Sequence, residues 1–157
     1  MADAPEDRRM QLTGLHHITL ISSDVERSIG FYRDVLGLGV IRDAPSDDDP
    51  GVRHVWFGAV DGTPGRLLSV MEYPQLPAGV TGLGSTHHFA LAVDSAEELD
   101  AWRTYLLEQG VECSEVFERG GFRSLYLRDP DGHVVEIATR LLAEPRREPD
   151  EPSSSPS

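Results

Sequence analysis

The sequence predicts an α+β fold made of two pseudo-symmetric βαβββ modules, and two observations support this prediction. The first is an internal repeat, in which LHHITLISSDVERSIGFYRDVLGLGV aligns with THHFALAVDSAEELDAWRTYLLEQGV and places His17 opposite His88 and Gly39 opposite Gly110. The second is that apolar residues in each half alternate first, then recur every three to four positions, then alternate again. This order predicts a strand, a helix and further strands, repeated once.

Each module begins with a strand, at 15–22 and 86–93, that leads into a helix. Asp24 and Ser95 can accept hydrogen bonds from the first unpaired N–H groups of a helix. We therefore expect helices over 25–36 and 96–109. Gly37 and Gly110 follow them and suit the left-handed conformation that closes a last helical turn.

Three short β-patterned runs follow each helix. They are 40–42, 54–60 and 67–73 in the first module, and 111–117, 122–128 and 133–139 in the second. The turn sequences DGTPG and DPDG separate the last pair in each module. We expect modules at 12–73 and 85–142, joined by a Pro/Gly-rich linker at 74–84 within a single domain. The charged, Pro/Ser-rich ends, 1–11 and 143–157, are predicted to be disordered tails.

The composition argues against several classes of partner. The chain has 14 basic and 27 acidic residues and a net charge of −13, whereas nucleic acids and anionic membranes attract clustered Lys and Arg. The single cysteine, Cys113, rules out an intrachain disulfide and lacks a nucleophile motif, so we expect a structural role for it. With no apolar run typical of a signal peptide or membrane span, we expect a cytoplasmic protein.

Strand alternation predicts which side chains share a face. In the second module His88, Tyr126 and Glu136 lie on the face with smaller neighbours, and His17 takes the corresponding face of the first module. If the two sheets curl towards each other, two imidazoles and one carboxylate converge and leave coordination positions open. That ligand set suits Fe(II), and Mn(II) nearly as well. The sequence therefore predicts a metal site at His17, His88 and Glu136.

The same residues resemble the vicinal oxygen chelate superfamily, which includes glyoxalase I, extradiol dioxygenases and bleomycin-resistance proteins. The first repeat is similar to the opening βα unit of that group, and RDPDGHVVEIAT is similar to its closing hairpin. The resemblance covers nearly all of 15–140. It implies metal ligands on the first and last strands of the modules, which by position are again His17, His88 and Glu136.

Ser69 occupies the position where a fourth ligand would be expected. Aligning DGTPGRLLSV with DPDGHVVEIA places Ser69 opposite Glu136. A glyoxalase-I-type site would need a carboxylate or similar ligand there, and a serine hydroxyl is a poor ligand. A three-ligand site favours oxygen chemistry over the glyoxalase reaction. Whether His16 or Glu72 reaches the site stays open, although alternation directs Glu72 to the other face.

A narrower resemblance concerns HVWFGAVDGTPGRLLSVMEYP and ERGGFRSLYLRDPDGHVVEIAT, which are similar to ring-cleaving dioxygenases that act on catechols and hydroquinones. The resemblance implies an Fe(II) or Mn(II) enzyme that acts on a small aromatic substrate and O₂. It also implies catalytic roles for Tyr126 as a proton donor, Arg119 as the partner of a developing anion and His87 as a proton shuttle. Members of this subgroup are usually longer than this chain.

Two other functions stay open at this point. One is a metal-dependent lyase or isomerase of the glyoxalase or epimerase type, which would use its metal as a Lewis acid on a carbonyl substrate. The other is a metal-free protein that binds small molecules such as drugs. Modules of this superfamily commonly pair across subunits, so the resemblance also implies a homodimer.

Overall fold

The computed structural model of the protein describes residues 12–59 and 67–140. They form two compact units: residues 12–80 together with the turn Asp129–Gly132, and residues 81–128 together with 133–140. The predicted tail 1–11, the DGTPG turn and the predicted tail 143–157 lie outside the described residues. The union of both modules in one domain stays a prediction.

The first unit contains one four-stranded mixed sheet and one helical segment. Its elements are β1 (His17–Ser22), α1 (Val25–Ile29) with a π-helical continuation (Gly30–Val35), β2 (Gly39–Pro45), β3 (Arg53–Gly58) and β4 (Leu67–Glu72). The strand order is β1-β4-β3-β2, in which β1 and β4 are parallel and the other pairs are antiparallel.

The second unit repeats this topology. Its elements are β5 (Phe89–Val93), α2 (Ala96–Glu108), β6 (Phe117–Arg119), β7 (Phe122–Arg128) and β8 (Val134–Thr139). The strand order is β5-β8-β7-β6, again with one parallel pair, β5 and β8. Two βαβββ modules with mixed sheets therefore confirm the predicted fold class.

The predicted helix boundaries are confirmed at their N-termini. The Asp24 carboxylate accepts from the Glu26 N–H at 2.9 Å, and the Ser95 hydroxyl accepts from the Glu98 N–H at 3.1 Å. Gly37 and Gly110, with φ of 76° and 72°, follow the two helices in the left-handed region.

The first helix departs from a regular α-helix after Ile29. The Leu36 N–H donates to the Phe31 carbonyl, five residues back, at 3.0 Å. This wider turn accommodates two adjacent buried rings, Phe31 and Tyr32, whose centroids lie 5.0 Å apart. The apolar spacing of the sequence predicts a regular helix here, because it does not distinguish an α-helical turn from a single wider turn.

Each unit has its own apolar core between helix and sheet. The buried residues of the first are Leu20, Val25, Ile29, Phe31, Tyr32, Leu36, Val52, Val55, Phe57, Leu68 and Val70, and those of the second are Leu99, Leu106, Leu125, Leu127, Val135, Ile137 and Ala138. Alternate strand residues therefore face the helices, and the opposite sheet faces carry the candidate site.

For two strands of the second module, the predicted residue ranges are wrong. Instead of a strand over 111–117, the structure has a single bridge between Cys113 and Leu127 and a strand that begins at Phe117. The Tyr126 N–H donates to the Ser114 hydroxyl, twelve residues earlier in the chain, at 2.9 Å, so a side chain replaces a ladder carbonyl.

The first strand of that module also begins later than predicted, at Phe89 instead of Thr86. Phe89 pairs with Val135, the second residue of β8. Only one residue of β8 precedes Val135, so the residues before Phe89 have almost no partner strand to pair with. None of the helices within 12–59 and 67–140 has the length and apolar character needed to cross a bilayer. A cytoplasmic location stays a prediction.

Candidate metal and substrate site

The second unit buries a carboxylate at the centre of its sheet. Glu136 on β8 lies between Ala90 of β5 and Tyr126 of β7, and it is only 4% exposed. Its Oε2 is 3.0 Å from the His88 Nε2, whereas its Oε1 is buried without a hydrogen-bond partner among the described residues. A buried carboxylate oxygen without a partner is costly. The arrangement therefore fits a cation bound at this oxygen and at the neighbouring imidazole.

His87 contacts the other nitrogen of the His88 ring, with the two Nδ1 atoms 2.8 Å apart. A neutral imidazole has one donor and one acceptor nitrogen. While the His88 Nε2 donates to Glu136, its Nδ1 must accept from His87. A metal ion on Nε2 would require the opposite tautomer, in which the His88 Nδ1 donates to His87. His87 can serve both states, because its own ring offers either role.

In a regular strand, His87 would face away from His88 and the metal site, but both histidines precede β5, so strand alternation does not govern them. The structure instead brings His87 into direct contact with the predicted ligand.

Two more predicted catalytic residues lie beside this pair. The Tyr126 ring packs edge-on against the His88 ring at 5.7 Å. The Arg119 guanidinium lies over the rings of Phe117 at 4.8 Å and Tyr126 at 5.6 Å, and its Nη2 donates to the Tyr126 hydroxyl over a long 3.4 Å. Sequence reasoning missed Phe117, although its position two residues before Arg119 places both side chains on one face of β6.

The first unit contains a matching arrangement in which serine replaces the carboxylate. The His17 Nδ1 lies 2.9 Å from the His16 Nδ1, as in the second unit, and the His17 ring is 4.7 Å from that of Trp56. Ser69 pairs with Trp56 across the sheet, as Glu136 pairs with Tyr126. Its hydroxyl is hydrogen-bonded to that of Thr19 at 2.8 Å. The strand register thus agrees with the alignment of Ser69 and Glu136.

Glu72, whose access to the metal was left open, has another role. Its Oε2 accepts a hydrogen bond from the Val25 N–H at 2.8 Å, at the N-terminus of α1. A carboxylate at this end of a helix is favoured by the partial positive charge there. Glu72 therefore stabilises the helix and lies, as alternation predicted, on the opposite face from Ser69.

The full three-ligand set stays a prediction. Within each unit, taken over the described residues, no group of three or more His, Cys, Asp or Glu side chains surrounds a common point. His88 and Glu136 are adjacent in the second unit, and His17 belongs to the first.

Two residues of the first unit were not singled out from the sequence. Trp56 lies between His17 and His54, with ring centroids 4.7 Å and 4.9 Å away. Among the described residues, the Trp56 Nε1 and the His54 Nε2 are buried without a hydrogen-bond partner. Burial lowers the pKa of the His54 imidazole, so this ring is predominantly neutral at neutral pH.

Cys113 lines a shallow cavity of about 570 Å³ beside Tyr126. Burial raises the pKa of the Cys113 thiol, so little reactive thiolate is present at neutral pH. This supports the predicted structural role.

Comparison with known proteins assigns the chain to a family. The model of the Glyoxalase/Bleomycin resistance protein/Dioxygenase superfamily matches residues 14–137. The chain belongs to this superfamily. Among curated superfamily relatives, a Bacillus subtilis (strain 168) protein with the provisional name ring-cleaving dioxygenase MhqA is 29% identical over 128 residues, covering 82% of the chain and 40% of MhqA.

A crystal structure of a provisionally named dioxygenase from Bacillus subtilis subsp. subtilis str. 168 superposes with a TM-score of 0.75 at 30% identity. It covers 82% of this chain and 41% of that one. The metallothiol transferase FosB of Staphylococcus haemolyticus (strain JCSC1435) is 27% identical over 133 residues, covering 83% of the chain and 86% of FosB. The chain thus spans less than half of the dioxygenase relatives and most of the transferase.

Proposed function

We propose that this protein is a metal-dependent dioxygenase that cleaves the ring of a catechol or hydroquinone with O₂. Fe(II) is the expected metal, with Mn(II) as the alternative. The observation that carries the proposal is Glu136, a buried carboxylate with one oxygen beside His88 and the other without a hydrogen-bond partner in residues 12–59 and 67–140. Similarity to proteins named as ring-cleaving dioxygenases supports the reaction type.

We assign the metal to His88 and Glu136, with His17 as the third ligand by virtue of its place in the repeat. Bound there, a redox-active metal would supply adjacent open positions for a phenolic oxygen and O₂, and a route for electrons between them. The protein contributes a buried carboxylate on a central strand and two ligands whose tautomers are set by neighbouring histidines.

Tyr126 and Arg119 are proposed to handle the proton and the charge. The Tyr126 ring packs against the His88 ring, and its hydroxyl would donate a hydrogen bond to a substrate oxygen bound beside His88. Arg119 would stabilise negative charge that develops on that oxygen, because its guanidinium already lies over the Tyr126 ring. His87 would give a proton to the His88 Nδ1 when a metal displaces the proton on the His88 Nε2, and would take it back when the metal leaves.

A metal-dependent group transfer is the second candidate. The observation that favours it is similarity to the metallothiol transferase FosB, which is 27% identical to this chain over 133 residues. The same His88–Glu136 pair would then hold a metal that acts only as a Lewis acid. A lyase or isomerase would use the metal in the same way, and a metal-free binding protein would not need the unpartnered Glu136 oxygen.

Oxygen uptake on the Fe(II)-loaded protein separates these functions. The protein is loaded anaerobically and mixed with catechols and hydroquinones in an oxygen electrode, with Glu136→Ala as the inactive control. We expect uptake that stops on aerobic loss of iron and returns with Fe(II) and reductant. No uptake from any of these compounds at full iron loading would refute the proposal. Thiol transfer, or lyase activity dependent on Ni, Co or Zn, would then identify the alternative.

We also propose that the protein is a homodimer that acts on small molecules and binds neither nucleic acid nor membranes. The support is the superfamily, whose related members often form dimers and act on small substrates, together with the net charge of −13. Sedimentation equilibrium tests the oligomeric state directly, and a mass equal to that of one chain would refute the dimer.

A further inference from the structure

One face of the first unit's sheet presents a continuous row of rings. His17, Trp56 and His54 follow one another with centroid separations of 4.7 Å and 4.9 Å. Trp56 is only partly buried, so part of the row is accessible. Flat, polarisable side chains in this arrangement favour contact with a planar aromatic molecule. We call the surface formed by these three residues and by Arg42, the cross-strand neighbour of Trp56, the Trp56 face.

The Trp56 face also holds two polar atoms without partners. Over residues 12–59 and 67–140, the Trp56 Nε1 and the His54 Nε2 are buried and form no hydrogen bond. An indole N–H can only donate, so it needs an acceptor oxygen or nitrogen. Leaving such a donor buried and unpaired is unfavourable. A ligand that carries oxygen substituents would bring to this face the kind of acceptor that the indole N–H lacks.

Arg42 adds positive charge to this face. It is the cross-strand partner of Trp56, so the two side chains project from the same side of the sheet. Its Nη1 and Nη2 donate to the two carboxylate oxygens of Asp47 at 3.1 Å and 3.0 Å. The Asp47 side chain is 77% exposed. An exposed pair of this kind is weak, so a ligand carboxylate can replace it in the same two-pronged geometry.

We propose that the Trp56 face binds an aromatic carboxylate, with the ring against Trp56 and the carboxylate on Arg42 in place of Asp47. This extends the proposed function, on which it rests for the role of the ligand as substrate: the ring to be cleaved carries an anionic substituent. The binding step is non-covalent and does not require the metal. It can therefore be tested on metal-free protein.

Intrinsic fluorescence offers a direct readout, because the chain contains two tryptophans, Trp56 and Trp102. Trp102 lies on α2 of the second unit, contacts Tyr105 and is not one of the residues of the Trp56 face. In the Trp102→Phe protein, Trp56 is the single tryptophan, and it can be excited selectively over the tyrosines. This protein, metal-free and checked for its fold by circular dichroism, is titrated with 2,5-dihydroxybenzoate and with hydroquinone, which differ by one carboxylate. Calorimetry on the same samples corrects for light absorbed by the ligands.

We expect saturable quenching by both compounds, with the carboxylate bound roughly five- to tenfold more tightly. In the same background, Arg42→Gln should remove this preference and leave hydroquinone binding unchanged. Asp47→Asn should tighten 2,5-dihydroxybenzoate roughly two- to fivefold, because it removes the competing carboxylate. A merely structural Arg42–Asp47 pair would not produce that gain. Arg33→Gln is the matched control, since Arg33 is an exposed arginine paired with Asp34 on the helical segment.

Absence of saturable quenching, or equal affinities of the Arg42→Gln and parent proteins for 2,5-dihydroxybenzoate, would overturn the inference. Failure of the proposed function has a different signature. Carboxylate-selective binding without oxygen uptake would leave the binding site in place and reject the dioxygenase. Oxygen uptake with catechols or hydroquinones, without any preference for the carboxylate in binding, would support the dioxygenase and reject the carboxylate site.

Discussion

Replacing Glu136 by glutamine should stabilise the metal-free protein while removing its response to metal. One carboxylate oxygen of Glu136 is buried without a hydrogen-bond partner in the part of the chain that the structure describes, and the residue is 4% exposed. An unsatisfied buried acceptor costs about 1–3 kcal/mol, and removal of the charge relieves part of the cost of burying an ion. Because glutamine keeps one contact with His88 but loses a charge-assisted hydrogen bond and buries an amide N–H donor, we expect a net gain of at most about 1 kcal/mol in the free energy of unfolding.

The metal reverses this order of stability. A ligand at 100 times its dissociation constant stabilises the native state by about 2.7 kcal/mol. Wild-type protein should gain this amount with Mn(II), whereas the variant should gain little because a neutral amide is a weaker ligand than a carboxylate. Urea unfolding with and without Mn(II) measures both effects. Glu115→Gln is the control, because this glutamate is exposed in the same unit and paired with Arg103. It should change stability by less than about 0.5 kcal/mol.

Two results would refute this reasoning. A metal-free Glu136→Gln protein clearly less stable than wild type would show that the buried carboxylate is already well satisfied. Equal stabilisation of both proteins by Mn(II) would show that Glu136 is not a metal ligand.

Three further predictions concern the core and the histidine pair. Tyr32→Phe loses the 2.8 Å hydrogen bond to Asp129 and should cost about 1–2 kcal/mol at neutral pH. Because burial raises the pKa of Tyr32, the folded state keeps a proton that the unfolded chain releases above about pH 10. Above this pH, the stability of the wild type should therefore fall more steeply than that of the variant when both are measured by urea unfolding. Parallel curves of stability against pH would contradict this. Leu99→Ala leaves a cavity at a fully buried position and should lower the free energy of unfolding by about 3 kcal/mol, measured by thermal unfolding. A loss below about 1 kcal/mol would contradict this. His87→Ala removes the partner of the His88 Nδ1 and should weaken Mn(II) binding about tenfold or more by calorimetry, whereas unchanged affinity would exclude a positioning role.

The features that the sequence predicted well are those set by local pattern. The strand 122–128 was predicted with its observed ends, because turns bound it on both sides and its residues alternate. The helix N-caps followed from residue type alone. The equivalence of Ser69 and Glu136 followed from the repeat, because each residue lies four positions after the glycine of a predicted turn, Gly65 or Gly132.

What the sequence did not reveal depends on contacts between distant segments. Trp56 gains its neighbours from a register that pairs it with Ser69 and Arg42, and no local periodicity specifies a register between strands. The break in the predicted strand 111–117 comes from one serine hydroxyl that bonds a backbone N–H twelve residues on. His87 and His88 escape alternation because pairing with β8 begins only at Phe89.

Metal content after dialysis tests the central claim most directly. Wild-type protein and the His17→Ala, His88→Ala and Glu136→Ala variants are equilibrated with Fe(II) under anaerobic conditions, dialysed and analysed for metal per chain. We predict nearly one ion per wild-type chain and a large loss in each variant, with native far-UV circular dichroism retained. Metal content in His88→Ala and Glu136→Ala equal to that of wild type would contradict the metal site and the function proposed from it.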